Sequence, residues 1–167
     1  MNLKIAFTGP ESSGKTTISK ALSDELQGIW VEEYAREYLQ SKLSYNQADL
    51  DIITQGQVEK WQVKADLLVA DTEMTVIKIW SEYRYKSCSP MIEEAYRNQK
   101  FNHYFLCKPD IPWEYDPLRE NPSNRDKLFE LYQSELLKLK RSFTILEGNL
   151  ETRLTLCREV LSTMKLK

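Results

Sequence analysis

Two periods of hydrophobic spacing take turns along this chain. The run Leu3 to Thr8 is apolar and short enough for a strand. From Lys15 to Gln27 the apolar positions Ile18, Ala21, Leu22 and Leu26 recur at helical spacing, and Gly28 is placed to end that helix. Ile29 to Val31 reads as a second short strand, and Glu32 to Leu43 as a helix ending near Ser44. Ser44 and Gln47 have capping-box spacing for a third helix that continues to about Lys64, with Gly56 as an interruption. Leu67 to Ala70 is uniformly apolar, as in a strand buried on both faces. Thr75 to Tyr83 and Pro90 to Gln99 are helical, with Pro90 suited to a first turn. His103 to Lys108 is a fourth strand, Arg125 to Arg141 a strongly patterned helix, Phe143 to Leu146 a fifth strand, and Leu150 to Met164 a last helix. Strands alternating with helices predict an α/β fold, a five-stranded parallel sheet with helices on both faces. Ligands of such sheets bind at the carboxyl ends of the strands.

The first such end is the most informative. Gly9-Pro10-Glu11-Ser12-Ser13-Gly14-Lys15-Thr16 reads G-x-x-x-x-G-K-T between a strand and a helix, the setting of a phosphate-binding P-loop. Glycines let the backbone fold closely around an anion, so that N–H groups point at phosphate oxygens and the positive end of the helix dipole faces the same point. Gly9, Glu11, Ser12, Ser13, Gly14, Lys15, Thr16 and Thr17 are the expected ATP contacts. Lys15 is expected at the β- and γ-phosphates and the Thr16 hydroxyl on Mg²⁺.

The other strand ends supply further candidates. Asp71, after the third strand, can hold Mg²⁺, take a proton from a substrate hydroxyl, or cap the next helix. Glu33, Tyr34, Arg36 and Glu37 follow the second strand. Glu33 and Glu37 share a helical face with Arg36 close by, a cluster for binding a sugar or a charged face in solvent. The segment from Pro109 to Asn124 is long for a loop in a compact domain and carries Trp113, Asp116 and Arg119, with Arg125 just beyond it. As a lid over about 109–125, it would let Arg119 and Arg125 offset the charge of a transferring phosphoryl group and exclude water. Trp113 is a core anchor or a platform for a flat cationic ring. Gly148, Asn149 and Arg153 follow the fifth strand, where loops border a bound nucleotide. Trp30, Trp61 and Trp80 sit in apolar patterns and read as core.

Composition narrows the alternatives. The 167 residues are 41% hydrophobic and 29% charged, enough for one domain with its own core, taken as 1–167. A net charge of −2 gives no footprint of a general nucleic-acid binder. Three spaced cysteines and one histidine indicate neither a disulfide framework nor a transition-metal site. The opening residues read as a strand rather than a leader, and no run approaches membrane-spanning length, so the cytoplasm is the expected compartment. No Asn-Lys-x-Asp follows the fourth strand and no Asp-x-x-Gly the third, which disfavours a GTPase switch; a transport ATPase's Leu-Ser-Gly-Gly-Gln is also absent.

Taken in order, Gly9 to Thr16, Glu33-Tyr34-Ala35-Arg36-Glu37, Asp71-Thr72-Glu73, Pro112-Trp113 with Asp116, Leu118-Arg119, and Arg125 resemble the ribosylnicotinamide kinase domain at the C-terminal end of the bacterial bifunctional NAD-biosynthesis regulator, with its stand-alone relatives in the AAA-type P-loop ATPase group. Glu73 stands where related domains often have Asp. The resemblance implies a P-loop nucleoside-kinase fold with a lid, ATP and Mg²⁺, and conversion of nicotinamide riboside to nicotinamide mononucleotide. It also implies that Glu33, Arg36 and Asp71 face the ribose and metal, that Trp113 borders the nicotinamide ring, and that Arg119 and Arg125 act from the lid. Two other readings stay open: a kinase for a different nucleoside or metabolite, and an ATP-binding, ATP-hydrolysing regulatory module. Oligomeric state is not legible, and either Asp71 or Glu33 can be the base.

Overall fold

The computed structural model describes residues 2–116, 119 and 123–165. Leu118 and the remainder of the expected lid at 117, 120, 121 and 122 lie outside the described residues. The elements run β1 (Leu3–Thr8), α1 (Lys15–Leu26), β2 (Ile29–Val31), α2 (Tyr34–Leu39), α3 (Gln47–Lys60), β3 (Leu67–Ala70), α4 (Met74–Tyr85), α5 (Pro90–Asn98), β4 (His103–Cys107), α6 (Arg125–Lys138), β5 (Phe143–Leu146) and α7 (Leu150–Lys165). The five strands form one sheet in the order β2-β3-β1-β4-β5, and every pairing is parallel. β1 therefore lies in the middle, and the loop after it opens at the centre of the carboxyl edge.

Strand alternation sorts the core into two layers. Leu3, Ile5 and Phe7 of β1 pack with Ile18 and Leu22 of α1 and Leu154, Cys157 and Leu161 of α7. Ala6, Leu68, Tyr104 and Leu106 point the other way, into a layer formed with α2 through α6. His103 is buried at the start of β4 between the hydroxyls of Ser142 and Thr144, each 2.9 Å from a ring nitrogen, and burial holds its pKa below the usual value. None of the described helices is long and apolar enough to cross a membrane.

Local structure departs from the sequence reading at three turns. α1 ends on Gln27, not Gly28: Gln27 takes the left-handed conformation (φ 55°). Gly28 instead packs closely on β3, where a Cβ would lie 3.1 Å from the Leu67 side chain. α2 is shorter than Glu32–Leu43, and α3 starts from Asn46, not Ser44. Asn46 and Asp49 form the capping box, and Asp49 is fixed there by Tyr38 Oη at 2.8 Å and Lys42 Nζ at 2.6 Å.

Gly56, an apparent weak point in α3, is where the Tyr34 ring lies on the helix. A Cβ at Gly56 would fall 2.1 Å from Tyr34 Cε1. Alanine favours helix over glycine by about 1 kcal/mol, so propensity alone predicts that Gly56→Ala stabilises. The clash reverses the sign, and a net loss of about 1–3 kcal/mol is expected. Denaturant unfolding measures it; a gain in stability would contradict the packing.

Candidate active site

The P-loop is held from below and from both sides. Gly9 (φ 131°) sits so close to β4 that a Cβ would meet the Cys107 carbonyl at 2.6 Å. Ser12 (φ 53°) and Gly14 (φ 85°) are also left-handed, which curls the loop. Gly14 caps α1 without a side-chain hydrogen bond, and the first turn of α1 carries no acidic residue. The leading N–H groups and the positive helix end are thereby directed at the loop's concave side, a fit for phosphate. Lys15 Nζ curls over the loop and donates to the Gly9 and Pro10 carbonyls, each at 2.8 Å.

Beneath the loop, Asp71 is buried and accepts from the Thr16 hydroxyl at 2.8 Å and the Ser19 hydroxyl at 3.4 Å. It does not cap α4; Glu73 does, accepting from Thr75 N at 2.8 Å. Glu73 is wholly buried and also accepts from Thr8 Oγ1 at 2.5 Å and Gln99 Nε2 at 2.7 Å. It ties the end of β1 to α4, away from the loop's concave side. Burial pushes its pKa up, against the hydrogen bonds it receives.

Glu33, at the head of α2, is half-buried. Burial raises its pKa first and the nearby Asp71 carboxylate next, while Lys15 and Arg36 pull it down. Burial likewise raises the Asp71 pKa, with Thr16, Lys15 and Ser19 opposing. Asp71, bonded to the P-loop threonine, and the nearby Glu33 carboxylate offer oxygen donors suited to a hard divalent cation shared with phosphate oxygens. Among the described residues, no group of three or more His, Cys, Asp or Glu side chains is placed to cage a metal by itself.

Among the described residues, several hydrogen bonds from the covering segment converge on Ser12 of the loop. Ser12 Oγ receives Glu114 N–H at 3.0 Å, lies 3.5 Å from Arg119 Nη1, and donates to the Pro112 carbonyl at 3.5 Å. The Ser12 carbonyl accepts from Arg125 Nη1 at 2.9 Å, which also reaches the Ile111 carbonyl at 3.0 Å. Trp113 lies against the Arg125 guanidinium, 5.7 Å from it to the ring centre. Asp116 pairs with Arg36 at 2.9 Å, joining the segment to α2.

One cavity collects these parts. The loop from Gly9 to Thr17, Glu33, Arg36 and Arg119 line it, and its far wall is formed by α4 and α6. That wall includes Val76, Ile79, Trp80, Tyr83 and Tyr132. Trp80 is therefore not simply core: it is half-buried and faces the cavity. Tyr34, Asp71, Trp113, Asp116 and Arg125 are not among the lining residues, and the Tyr34 ring lies on Gly56 of α3. Gly148 and Asn149 also lie apart from the lining: Gly148 N donates to Asp110 Oδ2 at 2.7 Å, and Asn149 accepts from Thr152 N at 2.9 Å. Arg153, grouped with Gly148 and Asn149 by its place after the fifth strand, contacts backbone carbonyls of the loop and its surroundings. It is 3% exposed and donates to the carbonyls of Ser13 (2.6 Å), Lys108 (2.9 Å) and Gly148 (2.9 Å), while pairing with Asp110.

A parallel sheet in this order, a P-loop after its central strand, a carboxylate after the adjoining strand bonded to the loop's threonine, and a segment folded over the loop define the P-loop nucleoside-kinase fold. Residues 4–153 match the family model described as AAA domain, and the chain belongs to that family. Over 144 residues it is 28% identical to the trifunctional NAD biosynthesis/regulator protein NadR of Salmonella typhimurium, a match covering 80% of this chain and 35% of that protein. The protein of the same name from Escherichia coli K12 is 25% identical over an alignment of 175 residues, covering 96% of this chain and 42% of that one. The chain thus spans less than half the length of these curated relatives. Among solved structures, NadR protein in complex with NR superposes with a TM-score of 0.73 at 19% identity, over 89% of this chain and 45% of that one. Deoxyadenosine kinase from M. mycoides gives 0.69 at 15% identity, over 97% and 100%. At such identities the superpositions carry the fold.

Proposed function

We propose that this protein transfers the γ-phosphoryl group of ATP to a small nucleoside, with nicotinamide riboside as acceptor and nicotinamide mononucleotide as product. One observation carries the reading: the cavity that holds the P-loop and Glu33 continues into an aromatic and apolar wall on α4 and α6. A phosphate switch needs no such second compartment, whereas a kinase must seat a ring there with its hydroxyl toward the phosphates. Similarity to the NAD biosynthesis/regulator proteins supports the choice of riboside.

In this reading the P-loop amides and Lys15 hold the phosphates, and Glu33, which lines the cavity, accepts the proton of the ribose 5′-hydroxyl as its oxygen attacks phosphorus in line. Asp71, already engaged by Thr16 and Ser19, orients the threonine hydroxyl. Mg²⁺, held through Thr16 with Asp71 behind it, supplies charge neutralisation on the phosphates when bound. Arg119 and Arg125 keep the covering segment on Ser12, which limits water at the phosphates.

The test is incubation of the protein with Mg·ATP and nicotinamide riboside and detection of nicotinamide mononucleotide by mass spectrometry. Product that disappears on chelation supports the assignment; ADP without that product defeats it and sends the acceptor search elsewhere. The raised Glu33 pKa predicts a pH dependence. A raised carboxyl stays protonated, and inactive as a base, further toward neutrality than an ordinary glutamate. The rate is therefore expected to climb with pH through a limb lying above the usual carboxylate range, and Glu33→Gln to remove that limb. A limb that survives in Glu33→Gln assigns the base elsewhere.

A further inference from the structure

One helix carries both a hold on the P-loop and a wall of the cavity. Arg125, at the head of α6, donates to the Ser12 and Ile111 carbonyls. Leu128 and Tyr132 follow on the same helical stripe, three and seven residues further on, and line the cavity. Seven residues carry a helix about 10 Å, and a tyrosine side chain on a helix leans back over the turn before it. The Tyr132 hydroxyl is thereby brought back toward the P-loop end of the cavity.

Tyr132 is 5% exposed, and its ring belongs to the core with Leu128 and Leu136. A buried phenol ordinarily finds a partner. Tyr96 does, donating to the Glu135 carbonyl at 3.1 Å. The Tyr104 hydroxyl lacks one but is sealed inside the core. Tyr132 differs from both: among the described residues nothing donates to or accepts from its hydroxyl, and it borders the cavity. Burial, and after it the negative charges of Glu73, Glu11 and Glu33, push its pKa well above the usual value, so the phenol keeps its proton and is a donor. Those three carboxylates follow the carboxyl ends of β3, β1 and β2, which sets the hydroxyl toward the sheet's carboxyl edge, within electrostatic reach of Glu33.

From this unpartnered donor we infer that Tyr132 is a specificity-determining residue: its hydroxyl donates to a secondary hydroxyl of the acceptor's ribose, so the site favours a riboside over the matching deoxyriboside. The inference rests on the kinase reading above, which sets the 5′-hydroxyl at Glu33 and the rest of the sugar beside it. In that reading the loop amides and Lys15 serve the phosphates. On the sugar side, Glu11 and Glu33 line the cavity and, when ionised, only accept. A sugar hydroxyl both accepts and donates, so it takes the Tyr132 hydrogen and gives its own to a carboxylate. Replacing that hydroxyl by hydrogen leaves Tyr132 buried without a partner, and this unmet donor is what discriminates.

The test compares nicotinamide riboside with its 2′-deoxy and 3′-deoxy analogues, in wild type and Tyr132→Phe. Initial rates at saturating Mg·ATP are paired with thermal unfolding and with tryptophan-fluorescence titrations of the three compounds. Tyr132→Phe keeps the ring and loses no internal hydrogen bond, so its melting temperature is expected to equal that of wild type; a clear fall would place the hydroxyl in the fold and overturn the inference. Wild type is expected to lose about tenfold in kcat/KM on one of the two analogues. Tyr132→Phe is expected to lose about as much on the riboside and nothing further on that analogue, because the two deletions remove the same contact. Losses that multiply for both analogues overturn the inference, and so does a wild type that uses all three compounds equally. Should none be phosphorylated, the kinase reading falls and the titrations decide the contact alone. Riboside binding that weakens in Tyr132→Phe to the level of one analogue sustains it, and equal binding by wild type and variant removes it.

Discussion

Lys15→Ala is expected to lower phosphoryl transfer by about a thousandfold or more, some 4 kcal/mol of transition-state stabilisation, with little change in folding stability. The asymmetry follows from where Lys15 sits. Its aliphatic stem crosses a loop that is held by other residues: Gly9 against the Cys107 carbonyl, Ser13 by Arg153, and Thr16 by Asp71. What Lys15 adds to the folded state is two hydrogen bonds to loop carbonyls from a half-exposed ammonium, a contribution within about 0.5–1 kcal/mol. In the proposed reaction it supplies a positive charge where the β–γ bridge breaks. Single-turnover rates and thermal unfolding of the variant measure both. Wild-type turnover in Lys15→Ala would reject the P-loop assignment, and a collapsed melting temperature would show that the loop depends on this side chain.

Arg153→Met is expected to do the opposite, costing about 3–5 kcal/mol of stability, roughly 10 °C in a domain of this size. Arg153 is a buried cation that satisfies three backbone carbonyls and the Asp110 carboxylate at once. Methionine fills similar volume but leaves those acceptors without their donor. Arg153→Lys restores charge without the planar fork and is expected to recover only part. Arg158→Met is the control: Arg158 pairs with Glu25 and Glu151 at an exposed site, where such pairs contribute less than about 1 kcal/mol. Equal melting temperatures for Arg153→Met and Arg158→Met would deny Arg153 its organising role.

Much of the architecture was legible because its signals are local. The apolar runs at Leu3, Leu67 and His103 became buried strands, and the G-x-x-x-x-G-K-T spacing became a curled loop at a helix head. What stayed hidden depends on partners distant in sequence. Ser44 and Asn46 are both good caps by type; Asn46 caps because its box partner Asp49 is held by Tyr38 and Lys42. Gly56 made sense only with Tyr34 lying on it, 22 residues away. Trp80 fits an apolar helical stripe whether that stripe faces a core or a cavity, and only the placement of α2 and α6 separates the two. The charged cluster at the head of α2 was legible as a pattern, but not that Glu33 would line the cavity while Tyr34 turned to α3.

The way β1 is flanked bears on when the nucleotide site comes into being as the chain folds. β1 pairs with β3 on one side and β4 on the other. The loop after it is completed by Asp71, which Thr16 meets across 55 residues, and by Arg153, which Ser13 meets across 140. Contacts of such sequence separation form late and slowly. A chain folded only through β3 contains the whole Gly-to-Thr motif yet has neither the Cys107 carbonyl beneath Gly9 nor the guanidinium beside Ser13. Nucleotide binding is therefore a marker of finished folding, and its binding energy stabilises the complete domain without stabilising the intermediates that precede it.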